Sequence, residues 1–81
     1  MADSDRVRRV ARWSGLSRAE LVRYVELEVL TLSEPPLPPA EVRRLRRIRR
    51  LRQDLELPVD AVAIIVRLLD RIEVLERRDR G

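Results

Sequence analysis

The sequence predicts an all-α domain made of two short helices, a proline-rich link and two longer helices. Three observations carry this expectation. From Pro58 to Arg78 there is no Gly and no further Pro, and the apolar residues recur at spacings of three and four. Upstream, Val42, Leu45, Ile48 and Leu51 recur every three residues. Between the two halves, Ser33 to Pro39 contains four prolines in seven residues. Each proline removes a backbone donor and disfavours helix in the residue before it, so this stretch connects elements rather than forming one.

The first helix is expected to hold Val7, Val10, Ala11 and Trp13 on its inner face, with Asp3 or Asp5 as cap and Gly15 as stop. Ser17-Arg18-Ala19-Glu20 fits a capping box: the Ser hydroxyl accepts from the third N–H and the Glu reaches back to the cap. A second helix should therefore run from Arg18 to Glu28 and bury Leu21, Tyr24, Val25 and Leu27. Val29 to Leu32 are apolar or β-branched and read as extended. The third helix, Ala40 to Leu55, opposes an apolar stripe ending in Leu55 to a cationic face of Arg43, Arg46, Arg47 and Arg50, flanked by Arg44, Arg49 and Arg52. Like charges at that spacing repel. The face is either simply solvated or a candidate anion-binding surface.

Pro58 suits the first turn of the last helix, which spans about 21 residues and roughly 32 Å. It carries two stripes. Val59, Val62, Val66 and Leu69 form one; Ala61, Ile65, Leu68, Ile72 and Leu75 form the other, widened by Ile64. The first is expected to pack on the domain's own core and the second to meet something outside it, the alternative being a bundle that buries both. Glu73–Arg77 and Glu76–Arg80 are acid-first pairs one turn apart. The organisation is one small domain, 1–81, divided into a helix-turn-helix part (7–32), a link (33–39), an Arg-rich helix (40–57) and a long two-faced helix (58–79).

Composition narrows the function. An 81-residue chain has a core worth only roughly 3–5 kcal/mol unless something else helps. With no Cys and no His, disulfides, zinc sites and His- or Cys-based catalysis are excluded. No enzymatic activity, metal or cofactor is expected. No apolar run approaches the span of a membrane and the N-terminus lacks a signal-peptide core, so a cytoplasmic location without membrane contact is expected. All 18 basic residues are Arg, the acidic residues number 14 and the net charge is +4. That excess suits a polyanion only weakly, because the acids are interleaved. One Trp, one Tyr and no Phe leave little for stacking on bases.

Gly15-Leu16-Ser17 followed by Leu21, Tyr24, Val29 and Leu30 resembles the helix-turn-helix entry of MerR-type regulators. Leu45 to Arg52 and Leu55-Glu56-Leu57-Pro58-Val59 resemble the two helices that follow in that family. Within the superfamily, Leu51 to Pro58, Val62-Ala63, Leu68-Leu69-Asp70 and Ile72 are similar to the chaperone-modulator branch of the CbpM type. The resemblance covers about residues 7–77 and rests mostly on the pattern of the last helix. It implies a degenerate helix-turn-helix whose wing is largely lost, since only Thr31 to Ala40 stand where DNA-binding members insert a β-hairpin. It further implies an adaptor that binds a J-domain protein (DnaJ- or CbpA-like) and regulates or assembles its complex with the Hsp70 chaperone DnaK.

The expected partner face is Asp60, Ala61, Ile64, Ile65, Leu68, Asp70 and Ile72, the carboxylates meeting the basic helix that the resemblance implies for a J-domain. Leu68, Ile72 and Leu75 are also expected to support a homodimer. The alternative is a DNA-binding transcriptional regulator using Arg18 and Arg23 in a groove and the Arg43, Arg46, Arg47, Arg50 face on phosphates. Specific DNA binding is disfavoured, because Ala19, Glu20, Val22 and Glu26 occupy the helix that would read bases.

Overall fold

The computed structural model describes residues 2–32 and 36–80. Ser33, Glu34 and Pro35 of the expected link lie outside the described residues, as do Met1 and Gly81. Four helices follow in order: α1 (Ala2–Ser14), α2 (Arg18–Glu26), α3 (Pro39–Gln53) and α4 (Val59–Arg80). Among the described residues there is no strand. The fold is all-α, a helix-turn-helix followed by two longer helices.

α1 begins ahead of both expected caps, so Asp3 and Asp5 sit inside it. Gly15 ends it at φ +78°, a left-handed conformation that a side chain would strain. Its N–H returns to the Ala11 carbonyl at 3.0 Å. Trp13, expected inside, is exposed.

The capping box at α2 is complete. Ser17 Oγ accepts from Glu20 N–H at 3.1 Å, and Ser17 N–H donates to Glu20 Oε2 at 3.3 Å. The helix stops two residues short of the expected end. Glu28 takes φ +61°, its N–H donates to Val25 O, and Val29 N–H donates to Tyr24 O. Those two reversed bonds are the Schellman arrangement, here closed by Glu rather than Gly. Leu21 and Tyr24 are buried as expected, whereas Val25 is exposed and Leu27 half-buried. The expected extended run at Val29 to Leu32 is instead irregular: Leu32 also has a positive φ, and Val29, Leu30 and Leu32 all drop into the core.

α3 starts on Pro39 with no side-chain cap and ends at Gln53. Glu56 turns the chain at φ +53°, and Leu57 N–H donates back to Leu51 O. Leu55 is thereby thrown outward, at 61% exposure, instead of rejoining the apolar stripe. Leu45 and Ile48 carry α3's share of the core, with Val42 and Leu51 half-buried. Pro58 lies just before α4, where its carbonyl accepts from Val62 N–H. The core joins Leu16, Leu21, Tyr24, Leu30, Leu45 and Ile48 to Val62, Ala63 and Val66.

Candidate protein-docking face

α4 carries two faces of different fate. Val62 and Val66 are fully buried and Ala63 nearly so, with Val59 and Leu69 half-buried beside them. On the other side, Ile64, Leu68, Ile72 and Leu75 are 61, 54, 47 and 51% exposed. At about 100° per residue these four fall within an arc of about 80°. Ala61 lies in the same arc and Ile65 just beyond its edge, and both are half-buried. Beyond Glu73, every residue of α4 is exposed.

The carboxylates expected to rim this arc are engaged elsewhere. Asp70 Oδ2 lies 2.9 Å from Arg44 Nη2, and its other oxygen lies 4.0 Å from Arg47 Nη1. Two residues after Leu68, Asp70 projects about 160° away from it round the helix, toward α3 and not beside the apolar arc. Asp60 lies nearer the arc but is bound by Arg23 Nε of α2 at 3.3 Å. Arg67, Arg71 and Arg78 are exposed on the same edge as Asp60 and are unpaired among the described residues, while Glu76 and Asp79 are exposed near the C-terminal end of the arc. The edge beside Ile64 and Leu68 is therefore mainly cationic where an anionic one was expected.

The ion pairs between α3 and α4 also change the reading of the arginine face. Arg47 Nη2 donates to Glu73 Oε1 at 3.0 Å. That hydrogen bond, with the attraction of the same guanidinium, lowers the Glu73 pKa from its ordinary 4.5. Arg44 also donates to the Val29 carbonyl, at 3.3 Å. Arg47 therefore leaves the expected anion-binding group, whereas Arg43, Arg46 and Arg50 stay exposed. Glu73 also meets Arg77 one turn on, as expected, at 3.9 Å.

Two further carboxylates hold the helix-turn-helix in place, and sequence spacing reveals only the capping role of the first. Glu20 closes the capping box and also accepts from Arg52 Nε at 2.7 Å and from Arg52 Nη2. Arg52 Nη1 donates to Leu57 O at 2.6 Å, so one guanidinium ties the start of α2 to the end of α3. Glu41 is buried in the first turn of α3, where the helix dipole favours an anion. Its two oxygens accept from Thr31 N–H at 2.8 Å and Thr31 Oγ1 at 2.7 Å. This clamp ties the irregular stretch after α2 to the first turn of α3. An acidic residue ten positions after a Thr is a signal too weak to find it beforehand.

Tyr24 is fully buried below α2, and its hydroxyl meets no partner among the described residues. Burial first, then the Glu20 carboxylate, pushes its pKa from 10.0 to about 12, with Arg52 opposing. On the outer side of α2, Arg23 is divided between Glu26 and Asp60. Val22 and Val25 lie exposed beside Arg6, Val7 and Leu32 on a groove of about 280 Å³. Of the two expected base-reading donors, only Arg18 remains without a partner among the described residues. The described residues contain no group of acids, His or Cys that could hold a metal, and no helix long and apolar enough to cross a membrane.

Comparison with known families matches residues 6–80 to the MerR HTH family regulatory protein model. No curated protein and no solved structure matches the chain. The match takes in α1 from Arg6 onward and the whole of α2, α3 and α4, so the uncovered arc and the Glu41–Thr31 clamp both lie within it: this chain belongs to the MerR helix-turn-helix regulatory family.

Proposed function

We propose that this MerR-family chain is a modulator or adaptor that works by binding protein, and that its partner is a J-domain co-chaperone whose complex with DnaK it regulates or assembles. It acts through association alone, with no chemistry of its own. The observation that carries this reading is the uncovered apolar arc of Ile64, Leu68, Ile72 and Leu75 on a domain whose core is already filled from the other side. The DNA-reading helix supports it from the opposite direction, since Arg23 is committed within the protein and Val22 and Val25 offer no donors. The choice of a J-domain comes from the resemblance of α3 and α4 to chaperone modulators. With Asp70 turned toward α3, the contact rests on the apolar arc rather than on a carboxylate rim.

Titration of the full chain with a purified J-domain tests this. Leu68→Ala should weaken binding by about 30-fold, the usual cost of truncating a central anchor. Val62→Ala, on the inner face, should lower the melting temperature more than the affinity. Normal binding by Leu68→Ala, with binding lost in a still-folded Val62→Ala, would reverse the two faces. One observation favours a second reading, that of a DNA-binding regulator: Arg18, Arg43, Arg46 and Arg50 stand exposed and unpaired among the described residues. Tight, sequence-specific DNA binding that falls steeply with salt would make that reading the better one.

A further inference from the structure

We propose that the α4 arc receives an amphipathic helix of the partner whose edge is lined with carboxylates. This rests on the reading of the arc as a protein-docking face and adds the chemistry of what docks there: an acidic-edged segment of the partner, in place of the basic J-domain helix that the resemblance implies. Ile64, Arg67, Leu68 and Arg71 together line a shallow depression of about 360 Å³. Apolar and cationic groups alternate along it at helical spacing, because Arg71 follows Leu68 by three residues and Arg67 follows Ile64 by three. Neither guanidinium is spent inside the protein, unlike Arg23, Arg44, Arg47 and Arg52. Asp60 stands on the same edge but is held by Arg23, and Asp70 is turned away. A helix laid in the depression therefore finds apolar contact along its ridge and positive charge along one side. Acidic residues on that side complement it, and basic ones are repelled.

A second copy of this chain fits the face less well. The seam from Ala61 to Leu75 covers about two heptads, where a self-sufficient coiled coil needs about three or more. Paired antiparallel, the same edges meet, so the arginine edge of one copy faces the arginine edge of the other. Paired parallel, Arg71 gains one contact with the copy's Glu76 while Ile64, the most exposed of the arc, is left at the margin.

The test uses the full chain and two synthetic helical peptides with the same leucine ridge, one carrying Glu and the other Lys along one edge. Fluorescence anisotropy of the labelled peptides reads binding. The Glu-edged peptide should bind about tenfold tighter, from two exposed charge contacts. Combining Arg67→Glu with Arg71→Glu should invert the order without loss of helicity, since both side chains are exposed, and Leu68→Asp should abolish binding of both peptides. Equal or tighter binding of the Lys-edged peptide overturns the proposal. So does failure of both peptides, or a stable dimer of the chain that excludes them. A J-domain titration run alongside separates this inference from the functional reading. If J-domain binding depends on Leu68 while peptide preference ignores the charge reversal, only the acidic edge is wrong. If the peptides follow the charge and no J-domain binds, the inference stands and the J-domain is not the partner.

Discussion

Raising the pH should strip this domain of most of its stability through a single side chain. Tyr24 is the only tyrosine, is fully buried, and has its pKa pushed from 10.0 to about 12. A pKa raised on folding means that the native state holds the proton more firmly than the unfolded chain does. The stability this supplies is whole below pH 10.0 and is lost as pH climbs through about 12. At about 1.4 kcal/mol per pH unit, the loss approaches 3 kcal/mol. That is most of the roughly 3–5 kcal/mol a core of this size supplies. Phenolate absorbance and far-ultraviolet helicity, followed together during alkaline titration, should therefore change in one concerted step well above pH 10. The Tyr24→Phe variant supplies the control. It removes the titrating group and an unpartnered buried hydroxyl at once, so it should be at least as stable as the parent at neutral pH and stay helical further into alkali. A phenolate signal with an ordinary midpoint in a still-helical protein would refute the reasoning, since water would then reach the ring in the native state.

Three more outcomes follow from the packing. Glu41→Ala should lower stability by about 1–3 kcal/mol, read by thermal denaturation, because it strands the Thr31 donors that the carboxylate now satisfies. Double-mutant cycles should give the half-buried Arg44–Asp70 pair a coupling of about 1 kcal/mol and the more exposed Arg23–Asp60 pair a few tenths at most; equal couplings would contradict the geometry. Glu28→Gly should raise stability by about 0.5–1 kcal/mol, read as a higher denaturation midpoint, because Glu28 occupies a left-handed position that costs an L side chain energy and a glycine little.

The parts of this molecule legible in its sequence are those governed by local chemistry. Ser17 and Glu20 announce the start of α2 because both partners of the capping box lie within one turn. The spacing of Val62 and Val66 against Ile64 and Leu68 separates the two faces of α4, since helical geometry alone decides which residues share a side. The end of α2 was hidden because its left-handed position is filled by Glu28 rather than by the glycine that usually marks it. Trp13 misleads in the opposite way: a large apolar residue at the end of a short helix has no neighbour to cover it. The ion pairs were the least legible. Glu20 meets Arg52 and Arg23 meets Asp60 across 32 and 37 positions of sequence. Periodicity says which way a side chain points, not which helix it meets. Asp70 is the instructive case, close to Leu68 along the chain yet on nearly the opposite side of the helix.

The stretch of α4 after Glu73 has a consequence for motion. Up to that residue the helix is fastened by Arg44 and Arg47 from α3 and by the core beneath Val62 and Val66. Beyond it, residues 74–80 extend for about two turns with all side chains exposed. Two unsupported turns have too little local propensity to stay helical on their own. Their amides should exchange with deuterium through local fraying, while those around Val62 and Val66 wait for the whole domain to open. Leu75 stands at the boundary of these regimes. Anything that covers it must first order the free end, and will be recorded there as slowed exchange before any change appears in the core.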